Sequence, residues 1–187
     1  MDKAELRKRL LEKRNSLSRD EVLSASESII RKIDALIKKN KSMLILGFMP
    51  LGNEIDLRAL YKKILDGYYK ENFDIDIILG LPRVCGKEMR FFKVSSIKNL
   101  EKSKFGIMEP EINSEEIIAK DAHVFVPLIG LDKNKKRLGF GGGFYDRYFG
   151  KHRENTLYGL AYDFQVDVDF DVNEYDIAMD HIFIAKY

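Results

Sequence analysis

From Arg137 to Arg147 the chain reads Arg-Leu-Gly-Phe-Gly-Gly-Gly-Phe-Tyr-Asp-Arg, with four glycines in five positions. Lacking a Cβ, the backbone at Gly139, Gly141, Gly142 and Gly143 can turn with positive φ and lie against a ligand. Its amide N–H groups are then free to face an anion. From Phe144 onward the residues suit a helix start, and a helix N-terminus adds partial positive charge at the same place. Arg137 and Arg147 bracket the segment with cations. Asp146 puts a carboxylate beside it, as a phosphate-bound Mg²⁺ requires. The chemistry predicted is that of a polyphosphate cradle with a metal ligand. A plain turn from strand to helix would explain one or two glycines, not four alongside two arginines and an aspartate.

Two commoner phosphate motifs are absent. A dinucleotide fingerprint that began at Gly139 and Gly141 would need a third glycine where the chain has Phe144. A Walker A loop ends in Gly-Lys-Ser/Thr; Gly150 and Lys151 are followed by His152 and lack the upstream glycine. His123, His152 and His181 have no metal-ligand spacing and read as structural or solvated. No Ser or Cys sits in a nucleophile motif.

The elements that must position this loop follow from periodicity. Residues 3 to 14 predict a short basic helix with Leu6, Leu10 and Leu11 on one face. Lys3 and Arg7, at i and i+4, could reach one anion together. From pattern alone, though, this is a solvated amphipathic helix. Ser18 to Glu21 form a capping box for a second helix running to about Lys38. Ser42 to Phe48 is a strand-length apolar run, buried on both faces. The loop after it, with Met49 and Glu54, leads into a helix capped by Asp56. In open α/β sheets ligands sit at strand carboxyl ends, so Met49 and Glu54 lie where a ligand would. Taken alone, Glu54 reads as a solvated surface carboxylate.

Further strands are expected at Ile75 to Leu81, Met89 to Val94, His123 to Leu128, Thr156 to Ala161 and His181 to Ala185, with a loop at Phe105 to Pro110 and a short helix at Ser114 to Ala119. Strands alternating with helices predict an α/β fold with a mostly parallel sheet covered on both faces.

The chain has 187 residues and a net charge of +2, which predicts one domain spanning residues 1–187 and gives little support to nucleic-acid binding. The charge is uneven: residues 1–41 hold twelve Lys/Arg against seven Asp/Glu, while residues 163–176 hold six acids and no Lys or Arg. The single cysteine, Cys85, allows no intrachain disulfide. No apolar signal core opens the chain, and no apolar run approaches the ~20 residues of a membrane span. The expectation is a cytoplasmic monomer with small-molecule partners, neither nucleic acid nor membrane among them.

Several segments together resemble the 5-formyltetrahydrofolate cyclo-ligase family, also called 5,10-methenyltetrahydrofolate synthetase. Arg137 to Asp146 is similar to the family signature R-L-G-x-G-x-G-[FY]-Y-D. Val126 to Asp132 is similar to the strand before it. Supporting matches are Lys3 and Arg7, Asn53 to Asp56, Leu81 to Val84, Phe105 to Pro110 and Tyr175 to Asp180. The resemblance implies a three-layer α/β/α fold like that of NagB, RpiA and the CoA transferases. It implies ATP- and Mg²⁺-dependent ring closure of 5-formyltetrahydrofolate, with ADP and phosphate released. Lys3 and Arg7 would contact ATP, which reverses the solvated reading. The ATP loop would comprise Arg137, Leu138, Gly139, Phe140, Gly141, Gly142, Gly143, Phe144 and Tyr145. Phe140 to Phe144 would also touch folate. Met49 and Glu54 would line the pterin pocket, Arg137 and Arg147 would be catalytic, and Asp146 and Asp176 would be associated with Mg²⁺. Two departures stand out: Gly142 replaces a lysine found in some members, and Phe144 replaces a frequent tyrosine. The alternative is an ATP-independent sugar-phosphate isomerase or CoA-transferase-like enzyme of the same fold.

Overall fold

The structure is a computed structural model and describes residues 2–187. Its centre is a seven-stranded sheet built from β1 (Ser42–Leu46), β2 (Asp76–Cys85), β3 (Glu88–Lys93), β6 (Glu116–Ile117), β7 (His123–Pro127), β10 (Thr156–Ala161) and β11 (His181–Ile184). The order is β11-β10-β7-β1-β2-β3-β6. The first five strands in that order run parallel, and β3 pairs antiparallel with both β2 and the edge strand β6. The expected mostly parallel sheet is therefore present.

Alternation of side chains across the pleat builds two cores. Ile45 and Phe125 face one side, where they pack with Ile29 and Ile33 of α2 (Arg19–Ile37) and with Leu60 and Tyr61 of α3 (Arg58–Leu65). Leu46, Val124 and Val126 face the other, where they meet Phe149 of α5 (Phe144–Lys151) and Met179. Each such fully buried side chain contributes about 1.5–3 kcal/mol. This double burial is why the strands appear as continuous apolar runs.

A third, smaller cluster positions the N-terminus. Leu6 and Leu10 of α1 (Lys3–Asn15) pack on Ile129, Leu138 and Phe170. Ile129 and Leu138 belong to the two-stranded ribbon β8 (Gly130–Leu131) and β9 (Arg137–Leu138) or its immediate flank. The basic helix is thus clamped against the strand that launches the glycine-rich loop.

Four local expectations change. Ser114–Ala119 is not a helix; Glu116 and Ile117 pair as an edge strand with Phe92 and Phe91. Asp56 does not cap α3 from the N-cap position, which Leu57 holds without a side-chain bond. Its Oδ1 instead accepts the Arg58 N–H at 2.9 Å. β2 runs through Pro82 to Cys85, because pairing with β1 stops at Gly80 and the proline has a neighbour strand on one side only. The stretch from Phe105 to Pro110 contains β5 (Met108–Glu109), which pairs with β4 (Glu101–Lys102). A short helix, α4 (Tyr68–Phe73), entered through Gly67 at φ 79°, had no clear sequence signal. The capping box of α2 forms as expected, with the Glu21 N–H donating to Ser18 Oγ and the Ser18 N–H to Glu21 Oε2.

Candidate active site

The glycine-rich loop leaves β9 and enters α5 through Gly143, which stands at φ 63°. Gly141 stands at φ 99°. An L side chain rarely adopts either conformation, so both positions require glycine. Three carbonyls are tied down: Arg7 Nε donates to Gly139 O at 2.7 Å, Arg147 Nη1 to Gly142 O at 2.8 Å, and the Arg147 N–H to Gly143 O at 3.0 Å. The amides are not. Among the described residues, the N–H groups of Gly139, Phe140, Gly141, Gly142 and Gly143 donate to no protein acceptor. A row of unused donors at a helix N-terminus is an anion-binding surface.

The two bracketing arginines are not equivalent. Arg147 is exposed at the rim; it donates also to Lys87 O and lies over the Phe144 ring at 5.1 Å. Arg137 is buried beneath the loop. Its Nη2 donates to Asp146 Oδ2 at 2.7 Å, its guanidinium lies 5.1 Å from the Tyr145 ring centre, and its Nε has no acceptor among the described residues. The tip packs so closely under Gly139 that a Cβ there would come within 2.6 Å of Arg137 Nη1.

Asp146 is tied to the backbone beside Asp176. Asp146 Oδ1 accepts the N–H of Ile177, the residue after Asp176. Asp176 accepts from Lys3 Nζ at 2.8 Å and from the Asn173 N–H at 2.9 Å. Burial opposes ionisation of Asp176, but Lys3, the Asn173 amide and the nearby Lys136 outweigh it and hold the carboxyl below its usual range. Two carboxylates suit a hard cation that completes its shell with phosphate oxygens and water, as Mg²⁺ does. Among the described residues, no three His, Cys, Asp or Glu side chains gather to hold a metal by themselves. Lys3 and Arg7 do not converge on one point: each is engaged with a different part of the loop's surroundings.

Glu54 is the clearest departure from a surface carboxylate, being only 6% exposed. Its Oε2 accepts the Leu51 N–H at 2.9 Å, and its Oε1 faces Arg14 Nη1 at 3.3 Å. Burial pushes its carboxyl above the usual range, with Arg14 and the Leu51 amide opposing that rise. A cavity of about 10 Å³ is lined by Arg14, Glu54, Phe48, Leu128, Tyr162 and Gln165. These residues follow the ends of the parallel strands β1, β7 and β10, where ligands bind in such sheets. Met49 is buried in the α2–α3 core and does not line that cavity. A larger groove of about 410 Å³ runs beside the loop between β3 and α5, flanked by Met89, Phe144, Arg147, Tyr148 and Lys151.

Sequence reasoning missed Arg14, Asn53 and Gln165 as site residues. Asn53 Nδ2 donates to the carbonyls of Arg14, Asn15 and Leu17, closing the end of α1. Gln165 Nε2 donates to Leu128 O and Ile129 O beside the cavity. The one available signal was Arg14, which continues the Lys3–Arg7–Leu10 stripe of α1.

The layout is that of an α/β enzyme with its site at the strand carboxyl ends and an anion loop at the mouth of a helix. A profile of the 5-formyltetrahydrofolate cyclo-ligase family matches residues 1–185, and the chain belongs to that family. It is 28% identical over 189 residues to the 5-formyltetrahydrofolate cyclo-ligase of Mycoplasma pneumoniae, covering 97% of this chain and 98% of that one. It is 27% identical to the mouse protein of the same name, over 96% of this chain and 90% of the other. Among solved structures, the 5,10-methenyltetrahydrofolate synthetase of Aquifex aeolicus superposes with a TM-score of 0.82 at 34% identity, covering 98% of this chain and 90% of that one. The Mycoplasma pneumoniae synthetase gives 0.74 at 26% identity, over 97% and 98% of the two chains.

Proposed function

We propose that this chain closes 5-formyltetrahydrofolate to 5,10-methenyltetrahydrofolate with ATP and Mg²⁺, releasing ADP and phosphate. The formyl oxygen of the amide is a poor leaving group. Transfer of the γ-phosphoryl group to it makes it a good one; N10 of the folate then attacks the formyl carbon, and phosphate departs as the ring closes. No covalent protein nucleophile is required, and the site contains none in a recognisable arrangement.

The observation that carries this reading is the run of unused amides from Gly139 to Gly143. They would cradle the ATP phosphates, with Lys3 and Arg7 adding charge from α1. Arg147 would stabilise the transferring group from the rim, and Arg137 from beneath the loop through its hold on Asp146. Leu138 and Tyr145 would shape the two ends of the cradle. Asp146 and Asp176 would hold Mg²⁺, which when bound offsets phosphate charge. Glu54 would accept the pterin N–H groups, and Phe140 and Phe144 would supply apolar surface. Catalysis then rests on positioning and charge, as in other phosphoryl transfers. No helix among the described residues is long and apolar enough to cross a membrane. A cytoplasmic monomer is part of the proposal.

The test follows methenyl absorbance on adding 5-formyltetrahydrofolate, with and without ATP and Mg²⁺, while ADP is measured in parallel. Product and ADP should appear in equal amounts and only when both are present. Ring closure without ADP formation would refute the reading.

A further inference from the structure

α1 presents Lys3, Arg7, Leu10 and Arg14 in helical steps of four, three and four residues, so all share one stripe. The stripe touches the site at three levels. Lys3 meets Asp176 and Arg7 meets the loop carbonyl of Gly139. Arg14 goes deepest, being only 3% exposed. One nitrogen, Nη1, serves both Glu54 Oε1 at 3.3 Å and Leu128 O at 3.5 Å. Its Nε is sealed from solvent with no acceptor among the described residues. Its guanidinium carbon lies 5.6 Å from the ring of Phe140, the exposed tip of the glycine-rich loop.

Such an arrangement is not built for stability. A buried ion pair gains little over an apolar replacement, and an unmade hydrogen bond on a buried charge adds to its cost. Unpaired buried donors call for another explanation, and a functional role is a common one. Arg14 lines the same cavity as Glu54 and sits against the loop tip, so it joins the two halves of the site.

We propose that Arg14 is a positioning residue of the folate site, holding the Glu54 carboxylate toward the cavity and beneath the Phe140 loop tip. The inference rests on the reading of Glu54 as the pterin anchor. Burial drives Glu54 toward its neutral form, and Arg14 is the cation that opposes it. The other ionisable groups that feel Glu54 are Tyr145 from α5 and Tyr162 after β10, both neutral near physiological pH. Without Arg14 the carboxylate would protonate more readily and cease to accept two pterin donors.

The experiment measures 5-formyltetrahydrofolate affinity by titration calorimetry without ATP, ATP affinity separately, and the pH profile of kcat/KM. Arg14→Gln should weaken folate binding about tenfold or more while ATP affinity changes less than about twofold, and the acid limb of kcat/KM should move to higher pH. Adding Glu54→Gln to that variant should cost at most about a further twofold, because coupled residues are non-additive. If Arg14→Gln binds folate like wild type, or if Glu54→Gln retains its full effect in the Arg14→Gln background, the proposal fails. If Glu54→Gln alone leaves folate affinity unchanged, the anchor reading itself fails. Should Arg14→Gln not fold, Arg14→Lys decides the matter. It keeps the charge, so the acid limb should stay in place, but it lacks the rigid fork, so folate affinity should fall several-fold. Wild-type affinity in Arg14→Lys would overturn the proposal.

Discussion

Replacing Asp146 separates two duties of one carboxylate. One oxygen holds Arg137 at 2.7 Å, and the other accepts the Ile177 N–H at 3.3 Å. Both side chains of the ion pair are sheltered, at 5% and 18% exposure. Alanine at this position leaves the Arg137 charge buried with no counter-ion, and the Arg137 Nε already lacks an acceptor. Removing one partner of a buried pair costs about 3–5 kcal/mol. At this chain length each kcal/mol lowers Tm by about 2–4 °C, so Asp146→Ala should melt about 6–20 °C below wild type. A loss of turnover in Asp146→Ala would therefore say little about metal binding.

Asp146→Asn is the informative change. It keeps the side-chain volume and an acceptor for Ile177, and it loses the charge together with the acceptor that faces Arg137. A hydrogen bond to a charged group is worth about 1.5–3 kcal/mol, so the loss of Tm should be smaller than in alanine. If Asp146 carries Mg²⁺, kcat should fall about 10²–10³-fold, the loss typical of removing one group that stabilises transition-state charge. The Mg²⁺ concentration giving half-maximal rate should rise as well. Thermal melts by circular dichroism and initial rates across a Mg²⁺ titration, both at a temperature where the variant is fully folded, separate the effects. An Asn variant that is folded, active and unchanged in its Mg²⁺ dependence would refute the metal role.

Gly141→Ala meets open space, its nearest neighbours being Arg7 atoms at 3.8 Å, so the strain falls on the backbone at φ 99° alone. A left-handed conformation costs an L residue about 1–2 kcal/mol, which should raise the KM for ATP roughly 5–30-fold with Tm lowered by only a few degrees. Lys3→Ala breaks a partly exposed pair, at 23% and 15% exposure, so stability should change by less than about 1 kcal/mol. ATP should nevertheless bind more weakly, and the gap to wild type should close as salt is raised, measured as KM against KCl concentration. Glu54 has a folded-state pKa above its ordinary 4.5, so the folded protein holds that proton longer than the unfolded chain does. Its contribution to stability is present in full below that value and is lost as pH rises through the folded pKa. Urea melts of wild type and Glu54→Gln from acid to neutral pH should differ in slope over that window; parallel curves would contradict the shift.

The glycine-rich loop was legible because its information is local. Positive φ at Gly141 and Gly143, the turn into α5 and the unused amides all follow from residues adjacent in the chain. The parallel strands were legible for a related reason: β1 and β7 are apolar at nearly every position because both of their faces are covered. What failed was whatever another element decides. Ser114 to Ala119 carries a helix-like pattern, yet the open edge of β3 draws Glu116 and Ile117 into pairing. Arg14 continues the Lys3–Arg7–Leu10 stripe, which sets it apart from Arg9 and Lys13, but the stripe alone does not say what buries it. Its burial depends on a carboxylate forty residues away, on Leu128 after β7 and on a loop tip beyond β9. Taken alone, Glu54 reads as solvated for the same reason, since its partner Arg14 lies forty residues away, while the family resemblance puts it in the pterin pocket. The pair is invisible to periodicity because the two charges offset each other in part: one buried charge would be excluded from a core, but two opposed charges are tolerated together. Long-range pairing of that kind is where this site keeps its polar chemistry. The glycine-rich loop is written in consecutive residues; the Arg14–Glu54 pair is assembled from α1, the loop after β1 and the end of β7 only once the sheet has formed.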